Sequence, residues 1–242
     1  MKIAKSLESV RAIASLFYPP NCGVCGGAIS NSEHLCSSCH DKAQRILPPF
    51  CAKCSEPFAG AIESEFTCAN CAHRKLEFDA AISAYRSRSV VRFVILRFKY
   101  GRQLYLRHPI AGWIAEAMRD ARLQNRMFDL IVPVPLHPAR LRERGFNQAH
   151  ILATMLGHKI GVPIFPVLQR IRYTTTQTVF DRIDRIEKLH NAFRLRKKMA
   201  VRELRVLLVD DILTTGSTLS ECARVLREAG ARSVDAITAA RA

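Results

Sequence analysis

Residues 206–219 read VLLVDDILTTGSTL, a strand signal that runs straight into a turn. With the two residues before it the first half gives LRVLLVD, a continuous apolar run of the kind that fills the central strands of a parallel sheet. The second half is a turn of small polar residues, Thr214 to Thr218. LSECARVLREAG then sets Leu219, Ala223 and Leu226 on one helical stripe with Gly230 as its stop, and SVDAIT follows as a further strand. Strand, loop, helix, strand is the unit that builds parallel sheets with right-handed crossovers. It predicts an α/β domain with a doubly wound parallel sheet.

Working back from this unit, the same texture extends to about Phe78. FDAAISAY reads as a strand, SVVRFVILRFKY as a helix ending at Gly101, and a second helix is expected from about Pro109 to Gln124. DLIVPVP reads as a buried strand, ARLRERGFNQAHILATMLGHKIG as mostly helical, and Pro163 to Gln169 as a short strand. Residues 172–190 mix Thr, Gln, Asp and Arg without an apolar period and read as a mobile loop.

The turn at 214–218 suits a phosphate monoester. Backbone N–H groups and hydroxyls converge at a helix start whose partial charge is positive, and Gly216 permits close backbone approach. Asp210 and Asp211 stand at the carboxyl end of the strand, where open α/β sheets place their ligands, and paired carboxylates can hold the vicinal hydroxyls of a ribose. The stretch lacks the Gly-Lys-Ser/Thr of a P-loop and the chain lacks an early G-x-G-x-x-G. A receiver domain also carries an acidic pair after an apolar strand, but too little chain follows Asp211 to complete one.

Eight of the nine cysteines lie between positions 22 and 71 as four C-x-x-C pairs: Cys22 and Cys25, Cys36 and Cys39, Cys51 and Cys54, Cys68 and Cys71. That stretch is rich in Gly, Pro, Ser and Asn, with too little apolar periodicity to fold by burial alone. Eight thiols fill two tetrahedral Zn²⁺ sites, structural and closed. A disulfide framework satisfies the same arithmetic, but no secretion signal is visible. Sequential pairing gives a double zinc ribbon; a crossed pairing is the alternative. The ribbons could grip nucleic acid or recruit a protein partner. Cys222 reads as a small core filler.

The chain has 242 residues, 48% of them hydrophobic, enough for one ordinary core and a smaller appendage. The expected division is 1–77, an N-terminal helix and the cysteine module, and 78–242, the α/β domain. Lys and Arg number 37 against 21 Asp and Glu, a formal charge of +16. That attracts polyanions without separating nucleic acid, membrane surface and small phosphates. In the first seventeen residues Ser6, Glu8, Ser9 and Arg11 interrupt any signal-peptide core, while Ile3, Leu7, Val10 and Ala14 recur at helical spacing. An amphipathic helix packed on the protein is expected, with membrane association as the alternative. No run approaches the roughly 18 to 20 apolar residues of a spanning helix. A cytoplasmic protein is expected, with the inner face of the membrane as the peripheral option.

VLLVDDILTTGSTL resembles the PRPP (phosphoribosyl pyrophosphate) signature of type I phosphoribosyltransferases. Preceded by cysteine pairs, and with PVPLHPARLRERGFNQAHILA, LQRIRYTTTQT and DRIDRIEKLHNAF, the chain resembles the ComF family nearly end to end. The resemblance implies that Asp210 and Asp211 meet the ribose hydroxyls while Thr214, Thr215, Gly216, Ser217 and Thr218 hold the 5′-phosphate. Pyrophosphate, with Mg²⁺, is then expected near Arg140, Arg142 and Arg144, and Gln177 in a mobile hood. Phe180 departs from the leucine of the family pattern. His137 and His150 are left out of the catalytic set.

The family is named for DNA uptake in natural competence, which implies handling of single-stranded DNA and contact with competence-machinery proteins. A belt of Arg86, Arg88, Arg92, Arg97, Lys99, Arg102 and Arg107, interleaved with Tyr85, Phe93, Phe98, Tyr100 and Tyr105, suits a single strand. Arg92, Arg97, Lys99 and Arg102 are its candidate contacts, with Phe93 and Phe98 expected to face the core. A nucleobase phosphoribosyltransferase of salvage metabolism is the competing expectation.

Overall fold

The strands of the main sheet are buried on both faces, as parallel strands covered by helices are. The computed structural model describes residues 21–29, 34–60, 62, 65–173, 191–196 and 200–242. The expected N-terminal helix, Gln177, Phe180 and most of the expected hood lie outside these residues. The strands are β1 (Ala81–Arg86), β2 (Leu130–Pro133), β3 (Leu168–Arg170), β4 (Phe193–Leu195), β5 (Arg205–Leu213) and β6 (Ser233–Arg241). The helices are α1 (Ser37–Asp41), α2 (Ala69–Ala72), α3 (Ser89–Tyr100), α4 (Arg107–Ala117), α5 (Ala121–Gln124), α6 (Pro138–Arg144), α7 (Gln148–Ile160) and α8 (Ser217–Glu228). The main sheet has the order β1-β6-β5-β2, all parallel, and β3 and β4 form a separate antiparallel pair.

Side-chain alternation along β5 feeds two cores. Val206 and Leu208 pack with Leu219, Cys222, Ala223 and Leu226 of α8, whereas Leu207 and Val209 join Val94, Phe98, Trp113 and Leu152 of α3, α4 and α7. Cys222 is fully buried, as a core filler should be. Burial on both faces is why the β5 sequence shows no polar period.

Three local expectations change. The helix expected to reach Gln124 ends at Ala117, because the Asp120 carboxylate accepts from the Arg122 amide at 3.0 Å and starts α5 afresh. The strand expected over 163–169 is reduced to a single bridge between Ile131 and Ile164, and β3 begins only at Leu168. β5 runs past the acidic pair to Leu213, held by pairing with β6 as far as Arg241.

Candidate functional site

Alternation continues through the acidic pair and sends its two carboxylates to different faces. Asp211 points toward α3, where its Oδ2 lies 2.8 Å from Lys99 Nζ; Asp211 is 4% exposed and Lys99 16%. Asp210 lies on the α8 side, within electrostatic reach of Arg170 and Cys222. Burial, and then the neighbouring Asp211 carboxylate, raise the Asp210 pKa to about 7, while Lys99 and Arg170 pull it down. The result is a carboxyl poised to ionise near neutrality at the end of a central strand, which is where a cation or a polar ligand gains most from meeting it.

Beyond Leu213 the chain turns through Thr214 and Thr215 to Gly216, whose φ of 80° is the left-handed conformation only glycine adopts without strain. Gly216 is the N-cap of α8, so the N–H groups of the first turn face this loop, that of Ser217 donating to Thr215 Oγ1 at 3.4 Å. Thr214 is exposed, and Thr215 and Thr218 are half-buried. Ser217 is buried, and its hydroxyl is engaged with Thr215 Oγ1 at 2.9 Å and with Arg74 Nη2 at 2.9 Å. Its side chain therefore braces the loop from inside together with the Thr215 hydroxyl, while Thr214 stays exposed.

A cationic hollow of about 150 Å³ adjoins the Lys99–Asp211 pair, lined by Lys99, Tyr100, Arg102, Arg140, Glu143 and Arg144. Arg140 stacks over Tyr173 at 5.5 Å and Arg144 over Tyr100 at 5.0 Å. Of the three arginines expected together, Arg140 and Arg144 line the hollow and Arg142 is exposed outside its lining. Helical spacing accounts for this: Arg140 and Arg144, four apart on α6, share a face, while Arg142, two from each, points elsewhere. His137 accepts from the Ala139 amide at 3.2 Å as the N-cap of α6, a structural role. Lys99 and Arg102, read from sequence as part of a nucleic-acid belt, thus belong to the hollow as well. Arg92 and Arg97 stay exposed on α3. Phe98 faces the core as expected, but Phe93 is 37% exposed with Arg97 over its ring at 4.7 Å. Phe93 lies one step off the buried stripe of Val91, Val94, Ile95 and Phe98.

The cysteines gather as two sequential tetrads, Cys22, Cys25, Cys36 and Cys39 in one and Cys51, Cys54, Cys68 and Cys71 in the other, with all four sulfurs of each within 4.8 Å. Both are built alike. The first cysteine pairs with the carbonyl five residues on (Cys22 with Gly27, Cys51 with Glu56), and the third cysteine caps a short helix that carries the fourth. Its amide also points at the first sulfur, at 3.4 Å from Cys36 and 3.3 Å from Cys68. In the second tetrad, contact with the thiols of Cys54 and Cys71 pushes Cys51 far below the ordinary thiol range, while Cys71 is pushed far above it by Cys51 and Cys54. Four sulfurs crowded this closely are a donor set that a divalent ion relieves, and four thiolates within reach of one ion suit structural Zn²⁺.

Two basic residues were not legible as site components. Arg74 leaves the second tetrad to reach the loop, and Arg170 approaches Asp210 from β3, its own pKa lowered by burial. Arg74 lies outside the quoted motifs and Arg170 lies in LQRIRYTTTQT, where nothing singles it out; each reaches the loop or Asp210 only through the tertiary fold.

Comparison with known proteins matches residues 13–72 to the double zinc ribbon domain and residues 105–242 to the phosphoribosyl transferase domain. Competence protein F of Haemophilus influenzae is 31% identical over 231 residues, covering 93% of this chain and 99% of that protein. DNA utilization protein YhgH of Salmonella typhimurium is 30% identical over 223 residues, 90% of this chain and 96% of its own length. Competence protein ComFC of Bacillus subtilis is 26% identical over 213 residues, 85% and 83% respectively. Among the described residues, no helix is long and apolar enough to cross a membrane.

Proposed function

The chain belongs to the ComF family, a double zinc ribbon joined to a phosphoribosyltransferase domain, and from that premise we propose that it binds PRPP and handles single-stranded DNA during DNA uptake. The observation that carries the first half is the meeting of three parts at one strand end: the loop 214–218, the Asp210–Asp211 pair with Lys99, and the hollow lined by Arg140 and Arg144. Thr214, Thr215, Thr218 and the Gly216 turn take the sugar's 5′-phosphate, and the acidic pair takes its diol. Lys99, Arg102, Arg140 and Arg144 take the pyrophosphate. Mg²⁺, entering with the pyrophosphate, supplies charge neutralisation for a departing group. No side-chain nucleophile is required, since attack on an anomeric carbon of oxocarbenium character is helped chiefly by positioning and electrostatics.

The test is calorimetry with Mg²⁺ and PRPP. Because the ligand's cation favours the ionised form of Asp210, binding should release a proton and strengthen as pH rises through about 7. An Asp210→Asn/Asp211→Asn chain that bound PRPP like the wild type would remove the assignment. Phosphoribosyl transfer to an acceptor is the enzymatic form of this reading, and a nucleobase acceptor of salvage metabolism is its alternative, separated by product formation with free bases.

The names of the relatives support the DNA half, and so does one surface observation. Tyr100 (62% exposed), Phe93, Leu104 and Tyr105 lie open beside Arg92, Arg97 and Arg102 on α3 and the turn after it. Stacking rings with interleaved cations suit single strands without sequence preference. The placement in the cytoplasm, with contact to competence proteins at the inner membrane face, follows from the same role.

A further inference from the structure

The second ribbon and the loop 214–218 share a hydrogen-bonded contact. Asn70, in α2 between Cys68 and Cys71, donates to the Thr215 carbonyl at 3.2 Å. Arg74 donates to the same carbonyl at 2.9 Å, to Ser217 Oγ at 2.9 Å and to Asn70 Oδ1 at 3.1 Å. The guanidinium thus spans both flanks of Gly216. A trans peptide is planar, with its C=O and N–H on opposite edges. Fixing the Thr215 carbonyl toward the ribbon fixes the Gly216 N–H to the other side, away from the ribbon. At φ of 80° glycine has no preference of its own to hold that plane.

We propose that Arg74 and Asn70 are positioning residues of the phosphate loop, and that metal in the second tetrad, and not in the first, thereby sets the loop's affinity for a phosphate monoester. This rests on the reading of 214–218 as a phosphate loop. The four-residue helix α2 has no side-chain cap of its own and is framed by Cys68 and Cys71, so a ligated tetrad is what holds Asn70 and Arg74 in place. The first tetrad is on the other core, with Cys22 and Cys39 packed against the α3 and α4 side.

The experiment uses the full zinc-loaded chain, ribose 5-phosphate as the probe, and the ¹⁵N–¹H resonance of Gly216 as a reporter that needs no ligand. Arg74→Ala should lower affinity by about tenfold, the loss of a charge-assisted contact, while zinc content and melting temperature show the ribbon intact. Arg74→Lys should recover part of it. Lys75→Ala removes the same charge one residue on, from a side chain 88% exposed, and should change nothing. The Gly216 resonance should move in Arg74→Ala, and when Cd²⁺ with its longer bonds to sulfur replaces Zn²⁺ in the folded chain, but stay put in Cys25→Ser. Wild-type affinity in Arg74→Ala, or an unmoved Gly216 resonance, overturns the proposal. If the wild type binds neither ribose 5-phosphate nor PRPP, the phosphate reading fails, and the Gly216 resonance still decides whether the ribbon governs the loop.

Discussion

The two cysteine knuckles follow one plan, and they differ at the residue four places after the first cysteine. In the first knuckle that residue is Gly26, at φ of 74°, with nothing within 4 Å of where a side chain would sit. In the second it is Ser55, at φ of 57°, a left-handed conformation that costs a non-glycine residue about 1 kcal/mol. The serine turns that strain to use. Its hydroxyl donates to the Ala81 carbonyl, accepts from the Ser83 amide, and accepts from Arg122, which also holds the carbonyls of Cys51 and Ala52. All four cysteines of the second tetrad are buried, whereas Cys25 of the first is exposed. Both ribbons reach a core, the first through Cys22 and Cys39 with Cys25 left exposed, the second through all four of its cysteines, so the second is set deeper into the α/β domain. Metal-binding motifs that look equal in sequence can therefore carry unequal shares of the fold.

The strongest challenge to that contrast is to remove one ligand from each. Cys71→Ser should cost on the order of 5 kcal/mol or more, enough to lose the cooperative melting transition, because it opens a site whose four cysteines all lie in the core on the α8 side. Cys25→Ser should keep a cooperative transition with one zinc fewer; equal melting losses in the two variants would abolish the distinction. A finer measure is Ser55→Gly, which relieves the backbone but deletes three hydrogen bonds, and should destabilise by roughly 1–3 kcal/mol in denaturant unfolding. A stabilised variant would mean the serine is tolerated rather than used. The smallest effect belongs to Arg45, between the ribbons, which pairs with Glu116 at 2.6 Å but is 59% exposed. Arg45→Ala should cost about 0.5 kcal/mol or less, and a much larger loss would show that the first ribbon's side is anchored after all.

Much of this was written locally. LRVLLVD, the small polar turn and the α8 stripe fix strand, loop and helix because each signal lies within a few residues of the next. The C-x-x-C spacing likewise gives both tetrads. Illegible were the contacts that join distant segments: Lys99 with Asp211, Arg74 with Thr215, Arg122 with Cys51, and Arg241 with Glu56. Lys99 sits in a run of basic residues whose composition suggests a solvated face, and only the crossing of α3 over the end of β5 turns it inward. Phe93 was misplaced for the converse reason. A helix with five buried residues in twelve leaves its border positions undecided until its neighbours are known.

In the sheet order β1-β6-β5-β2, the strand made last in the described chain lies between the one made first and the rest. Ala81 pairs with Ala236, and Ser83 bonds Thr238 across 155 positions. On the ribosome, β1 must wait with an unpaired edge until residues 233–241 have emerged, since no earlier strand can take that place. Closing so distant a pairing is slow, and a waiting apolar edge invites the wrong neighbour. Synthesis of this protein should therefore lean on chaperones during translation more than its size suggests, and a chain interrupted shortly before Ser233 would leave the ribosome with its sheet in two pieces.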